Sequence, residues 1–175
     1  AKGCDIDDLV VLILDRPRHQ DLIRAVRATG ARIRLIGDGD VAGVIATSRP
    51  DSGIDIYMGI GGAPEGVLAA AALRSIGGQM QGKLTFRNDD EKVRAKRMGV
   101  EDLERVYNLH DLASGDVMFA ATGVTDGTML KGVRRTLHGL VTESIVMRSK
   151  TGTVRQITAE HHLQRKIEVV PHFNR

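Results

Sequence analysis

A strand-like run from Ile54 to Ile60 breaks into Gly61-Gly62-Ala63-Pro64-Glu65-Gly66, and an alanine-rich segment from Val67 to about Ile76 follows. This stretch constrains the chain more than any other. The glycines let backbone approach a ligand where a Cβ would clash. Pro64 suits the first turn of a helix, where a missing N–H costs nothing. The helix start offers free N–H groups and partial positive charge, which suits phosphate. The loop nevertheless carries a carboxylate, Glu65. An acid beside an anion site makes sense when a cation sits between them. The loop is neither Gly-x-Gly-x-x-Gly nor a P-loop with a following Lys-Ser/Thr, so a nucleotide site is disfavoured.

The same strand–loop–helix unit occurs twice upstream. Leu9–Leu14 is a continuous aliphatic run, the pattern of a strand buried on both faces. It leads to Arg16-Pro17-Arg18-His19 and a short helix, QDLIRAVRATG, stopped by Gly30. Arg32–Ile36 is the next strand, followed by Asp38-Gly39-Asp40 and a helix over Val41–Ser48 with Asp40 as its expected N-cap. Three such units at short spacing predict a parallel α/β sheet, whose ligands bind at the carboxyl ends of the strands. All three polar loops fall there.

Downstream, strands are expected at Gln79–Phe86 and Asp116–Val124, a charged helix from Asn88 to about Met98, and a hairpin of Leu140–Met147 with Thr153–Ile157. Asp102–His110 fits either type. Residues 1–163 read as one domain and 164–175 as a C-terminal tail.

Composition narrows the partners. Lys+Arg 25 against Asp+Glu 22, dispersed along 175 residues with 3% aromatics, gives neither a basic stripe nor a stacking platform, so no nucleic acid is expected. The single cysteine, Cys4, precludes an internal disulfide and fits a reducing compartment. The longest strongly apolar run, Leu9–Leu14, is too short for a bilayer, and the start lacks a signal-peptide pattern. A soluble, cytoplasmic protein is expected.

Each candidate site has a plainer reading. Arg16 and Arg18, held by Pro17, suit bidentate phosphate contacts but also fit a solvated turn. His19 beside them reads as a surface residue. Asp38-Gly39-Asp40 suits sugar hydroxyls or metal, and equally a turn and helix cap. Asp126-Gly127-Thr128 fits a structural turn as well as a metal motif, and His161-His162 lacks spaced ligand partners for zinc.

Together, LDRPRHQDLI, DGDVAGVI, YMGIGGAPEGVLAAAALRSIGGQMQG, FRNDDE, GDVMFAATGVTDGTML and TESIVMRSKTGTVR closely resemble, in order, the C-terminal half of the class II fructose-1,6-bisphosphatases, including the type that also accepts sedoheptulose 1,7-bisphosphate. The resemblance implies an α/β, layered sugar-phosphatase-like fold with a central sheet flanked by helices. It implies a phosphoric monoester hydrolase of gluconeogenesis that removes the 1-phosphate of fructose 1,6-bisphosphate with Mn²⁺ or Mg²⁺. By the same resemblance, Arg16, Pro17, Arg18, Asp38, Gly39, Asp40 and Gly62 bind substrate and Glu65 is a metal ligand. The remaining metal carboxylates of that family lie in its N-terminal half, on an Asp-Pro-x-Asp-Gly-Thr type motif. This sequence has no Asp-Pro, so the water-positioning groups are expected outside it. The expected partners are that N-terminal half, the sugar bisphosphate and further copies in a homo-oligomer. A non-catalytic sugar-phosphate-binding or regulatory domain is the alternative.

Overall fold

The aliphatic run forms β1 (Val10–Leu14), and its last four residues are buried. The structure, a computed structural model, describes residues 3–162 and 165; the expected tail otherwise lies outside them. β1 is central because it has strands on both edges. It pairs in parallel with β2 (Arg32–Ile36) from Val10↔Arg32 to Leu14↔Ile36, and with β3 (Ile56–Tyr57) at Val11↔Ile56 and Leu12↔Tyr57. A strand covered on both faces has no polar side, which explains the unbroken apolar run.

Alternate residues of β1 serve different layers. Val11 and Ile13 pack against Ile23 and Val26 of α1 (Gln20–Ala28). Leu12 faces the opposite layer, formed by α2 (Asp40–Ala46) and α3 (Ala63–Ile76). There Gly43 lets α2 lie close to the sheet: a Cβ on it would stand 2.9 Å from Leu12 Cδ2 and 3.2 Å from the Tyr57 ring.

Beyond α3 lies a second, antiparallel sheet of β6 (Met118–Thr122), β7 (Arg134–Thr136), β8 (Gly139–Arg148) and β9 (Thr153–His162). β9 pairs along the whole of β8, while β7 and β6 share its other edge. Phe119, Ile145 and Met147 from this sheet pack on Ile45 of α2 and Ala72 of α3. The order is therefore α1, parallel sheet, α2 with α3, antiparallel sheet. Packed from several directions, α3 buries Ala69, Ala70, Ala72, Leu73 and Ser75. Small side chains let neighbouring layers approach it closely, which accounts for its alanine-rich sequence. Arg74 ties α3 forward, donating from Nη1 to Ala113 O at 2.6 Å and from Nη2 to Gly115 O at 2.9 Å. Between the sheets in sequence, β4 (Gln81–Lys83) pairs antiparallel with β5 (Val106–Asn108), enclosing α4 (Asp89–Arg97) and followed by α5 (Leu109–Leu112).

Several elements differ from the sequence expectation. β3 has two residues rather than the run Ile54–Ile60; Asp55 and Met58 still bond to β1 through Val10 O and Leu12 O, and the chain then leaves the ladder. α3 begins at Ala63, not Val67, so Glu65 lies in its first turn. Asp40 is the first residue of α2 rather than its N-cap; Gly39, at φ +86°, occupies the cap. The strand expected at Gln79–Phe86 is β4 alone, and β8 and β9 run longer than expected because each pairs with the other to its end. The short, fully exposed β7 has no apolar pattern to announce it. No helix among the described residues is long and apolar enough to cross a membrane.

Candidate functional site

Three loops meet at the carboxyl edge of the parallel sheet. The loop after β1 leads to α1 on one face, and those after β2 and β3 lead to α2 and α3 on the other. Loops diverging on either side of β1 leave a crevice, the usual ligand position in such sheets.

Pro17 starts a one-turn 3-10 helix, Pro17–His19, closed by His19 N–H to Arg16 O at 2.9 Å. Its fixed φ sends the flanking arginines to opposite neighbours. Arg16 reaches the β2 loop, donating to Gly37 O at 2.6 Å and to Asp15 O at 3.0 Å. Arg18 reaches the β3 loop, donating from Nε to Ile60 O at 2.8 Å. That contact leaves both terminal nitrogens of the exposed Arg18 without a hydrogen bond to the described residues.

His19 corrects the sequence reading: it is 0% exposed, not a surface residue. Ile60 N–H donates to its Nε2 at 2.9 Å, so the ring proton sits on Nδ1, which donates to Leu14 O at 2.8 Å. Arg18 and His19 thereby grip both sides of the Ile60 residue. The imidazole welds the end of β1 to the chain leaving β3, a link across 41 residues that local sequence patterns do not reveal.

In the β2 loop each aspartate spends one oxygen on nearby backbone. Asp38 Oδ1 accepts from Gly39 N at 2.7 Å and Asp40 Oδ1 from Val41 N at 2.9 Å. Asp40 Oδ2 turns toward the β3 loop, 3.6 Å from where Gly61 would carry a Cβ.

The third loop, Gly59–Gly62, enters α3. Glu65 is exposed, and its carboxylate folds back over Gly62, where a Cβ would collide with Oε2. Among the described residues this carboxylate has neither a hydrogen bond nor an ion pair, so both oxygens are open to a hard cation. No three His, Cys, Asp or Glu side chains among the described residues cluster as a metal cage. The residues here therefore fit one corner of a divalent site and not a whole one.

Tyr57, at the end of β3, escaped the sequence reading. Its ring lies against Gly43, and its hydroxyl is 3.4 Å from the position of a Cβ on Gly59. Burial raises the phenol above its ordinary pKa of 10.0; Asp40 adds to the rise and Arg18 opposes it. A polar-tipped residue two places before a loop glycine was the available clue.

The remaining motifs are structural. Asp126 Oδ1 accepts from Gly132 N at 2.9 Å and Gly127 N donates to Leu130 O at 3.0 Å, which makes Asp126-Gly127-Thr128 a turn between β6 and β7. His161 Nε2 lies 2.8 Å from Thr142 Oγ1 on the antiparallel sheet. A depression of about 580 Å³ at the opposite, amino edge of the parallel sheet is lined by Asp8, Arg32, Arg49 and Asp55. Its charges are already engaged: Arg32 with Asp8, Arg49 with Asp51, and Asp55 Oδ2 with Val10 N at 2.7 Å.

The family model described as bacterial fructose-1,6-bisphosphatase, glpX-encoded, matches residues 1–161. The chain belongs to this family. It is 44% identical over 169 residues to the D-fructose 1,6-bisphosphatase class 2/sedoheptulose 1,7-bisphosphatase of Trichodesmium erythraeum, a match covering 89% of the chain and 49% of the relative. The proteins of the same name from Crocosphaera subtropica and a Synechococcus strain are 43% and 44% identical, over 89% and 90% of the chain and 49% of each relative. The chain thus spans about half the length of the curated relatives it matches, corresponding to their C-terminal half. Its mixed parallel and antiparallel sheets with flanking helices agree with the layered α/β expectation.

Proposed function

We propose that this chain is the substrate-binding half of a class II fructose-1,6-bisphosphatase, a phosphoric monoester hydrolase acting on the 1-phosphate of fructose 1,6-bisphosphate. The observation carrying this reading is the convergence, at one edge of the parallel sheet of a member of this family, of an arginine loop, an aspartate loop and a glycine loop bearing Glu65.

Arg16-Pro17-Arg18 hold the phosphate that is retained. Arg18 is the principal contact, since its terminal nitrogens are open while Arg16 already bonds Gly37 and Asp15. Asp38, Gly39 and Asp40 accept from sugar hydroxyls, and the open Asp40 Oδ2 suits that role. Gly62 lets the substrate and the Glu65 carboxylate share a space that any side chain would fill. Glu65 supplies one ligand to Mg²⁺ or Mn²⁺. When bound, such a cation neutralises phosphate charge and lowers the pKa of a coordinated water. The remaining metal carboxylates and the groups that position water belong to the other half.

The lack of a three-residue metal cluster among the described residues favours one further reading, a non-catalytic sugar-phosphate-binding domain. Reconstitution separates the two. The chain is mixed with a separately produced N-terminal half of a family member, and phosphate release from fructose 1,6-bisphosphate is followed with Mg²⁺ or Mn²⁺. The hydrolase reading expects release from the mixture and none from either half. A complex that forms and binds fructose 6-phosphate without release would sustain the binding-domain reading instead.

A further inference from the structure

The Tyr57 hydroxyl is the one polar group of the site that the family motifs above leave without a task. The Tyr57 ring and hydroxyl each lie beside a glycine. Gly43 carries no side chain where the ring packs, 3.2 Å from the ring carbons Cδ2 and Cε2, and Gly59 carries none beside the hydroxyl. A Cβ at Gly43 would press on the ring, whereas one at Gly59 would stand in ordinary contact with the hydroxyl. The residue is half-buried, and its hydroxyl, which is open to solvent, has no hydrogen-bond partner among the described residues. Two residues beyond Gly59, Gly61 leaves similar space beside Asp40 Oδ2. Between these glycines, Ile60 O accepts from Arg18. The phenol therefore sits beside the glycine loop, which Arg18 and Asp40 both approach.

We infer that Tyr57 is a substrate-contacting residue. Its Oη donates a hydrogen bond to an oxygen of the sugar phosphate, between the phosphate held by Arg18 and the hydroxyls held by Asp40. Both of those charged side chains act electrostatically on the phenol, and burial keeps it protonated, as a donor must be. This inference rests on the sugar-phosphate reading above and adds a fourth contact to it.

The test is steady-state kinetics of the complete protein carrying Tyr57→Phe, beside Arg18→Ala. Phenylalanine retains the ring against Gly43 and removes only the oxygen. Loss of one ground-state hydrogen bond is expected to raise KM for fructose 1,6-bisphosphate about tenfold, with kcat within about twofold and the thermal midpoint unchanged. An unchanged KM in Tyr57→Phe, with KM raised in Arg18→Ala, overturns the inference and leaves the sugar-phosphate reading standing. Unchanged KM in both variants removes that reading as well. A KM rise accompanied by a lowered thermal midpoint assigns Tyr57 to packing and also overturns the inference.

Discussion

A methyl group at position 62 would occupy the space where the Glu65 carboxylate lies. Gly62 has an ordinary φ of −70°, so the backbone accepts alanine and only the carboxylate has to move. Gly62→Ala should leave unfolding free energy within about 0.5 kcal/mol of the parent. In the complete protein it should raise the metal concentration for half-maximal activity roughly tenfold, as misplacing a ligand does. A metal titration of the variant checks this. His19 behaves in the opposite way. His19→Leu strands Leu14 O and Ile60 N–H together, and should lower stability by about 2–4 kcal/mol in denaturant unfolding, where a surface histidine would cost under about 0.5 kcal/mol. Tyr57 offers a spectroscopic check, since the chain has only one other tyrosine, Tyr107. Its phenol should ionise above the ordinary value of 10.0, and Tyr57→Phe should delete that late phase from an ultraviolet titration. Because the folded state holds this proton more tightly, stability falls as pH rises from that ordinary value through the raised one. Arg16, Arg18, Asp38, Asp40 and Glu65 were legible as candidates because loop charges after strands are visible in sequence. His19 and Tyr57 were not, because their meaning comes from contacts with other loops and helices, such as Ile60 for His19 and Gly43 for Tyr57.

At the scale of elements, legibility followed burial. β1 is buried on both faces and announces itself as an aliphatic run; β7 is wholly exposed and announces nothing. The helix starts differ from the sequence expectation where a glycine caps the helix, as Gly39 does before α2, or a proline stands in its first turn, as Pro64 does in α3. The charged helix α4 was read correctly from its leading acids, and its first turn is held in a checkable way. Asn88 Oδ1 accepts from Glu91 N at 3.0 Å, and the Glu91 carboxylate accepts from Arg87 N and Nε, both at 2.9 Å. Hydrogen bonding from the Arg87 backbone, then from its side chain, holds the Glu91 carboxyl below its ordinary 4.5. A lowered acid contributes stability above its unfolded value and loses it as pH falls through the folded one. Amide protection at the start of α4 should therefore weaken below about pH 4.5. In Glu91→Gln it should already be weak and vary little with acid. Asn88→Ala should remove about 1 kcal/mol from the same turn at all these pH values.

At the scale of the whole fold, the two sheets and the helices between them position three loops at one edge, and among the described residues Glu65 has no pair of further His, Cys, Asp or Glu side chains clustered with it as a metal cage. The order of layers was not legible, because strand periodicity reveals which residues are buried and not what covers them. α3 shows this best: its alanines read as a helix, while their reason, packing between α2 and the antiparallel sheet, emerges only in three dimensions. The central claim is that Glu65 of this half supplies a ligand to a cation whose other ligands come from the remaining half. The direct measurement is phosphate release from fructose 1,6-bisphosphate by the complete protein carrying Glu65→Gln, across a titration of Mg²⁺ or Mn²⁺. Glutamine preserves the shape and removes the charge, so the account predicts kcat lowered at least about a hundredfold, a higher metal requirement and an unchanged thermal midpoint. Parental kinetics for Glu65→Gln at limiting metal would contradict it.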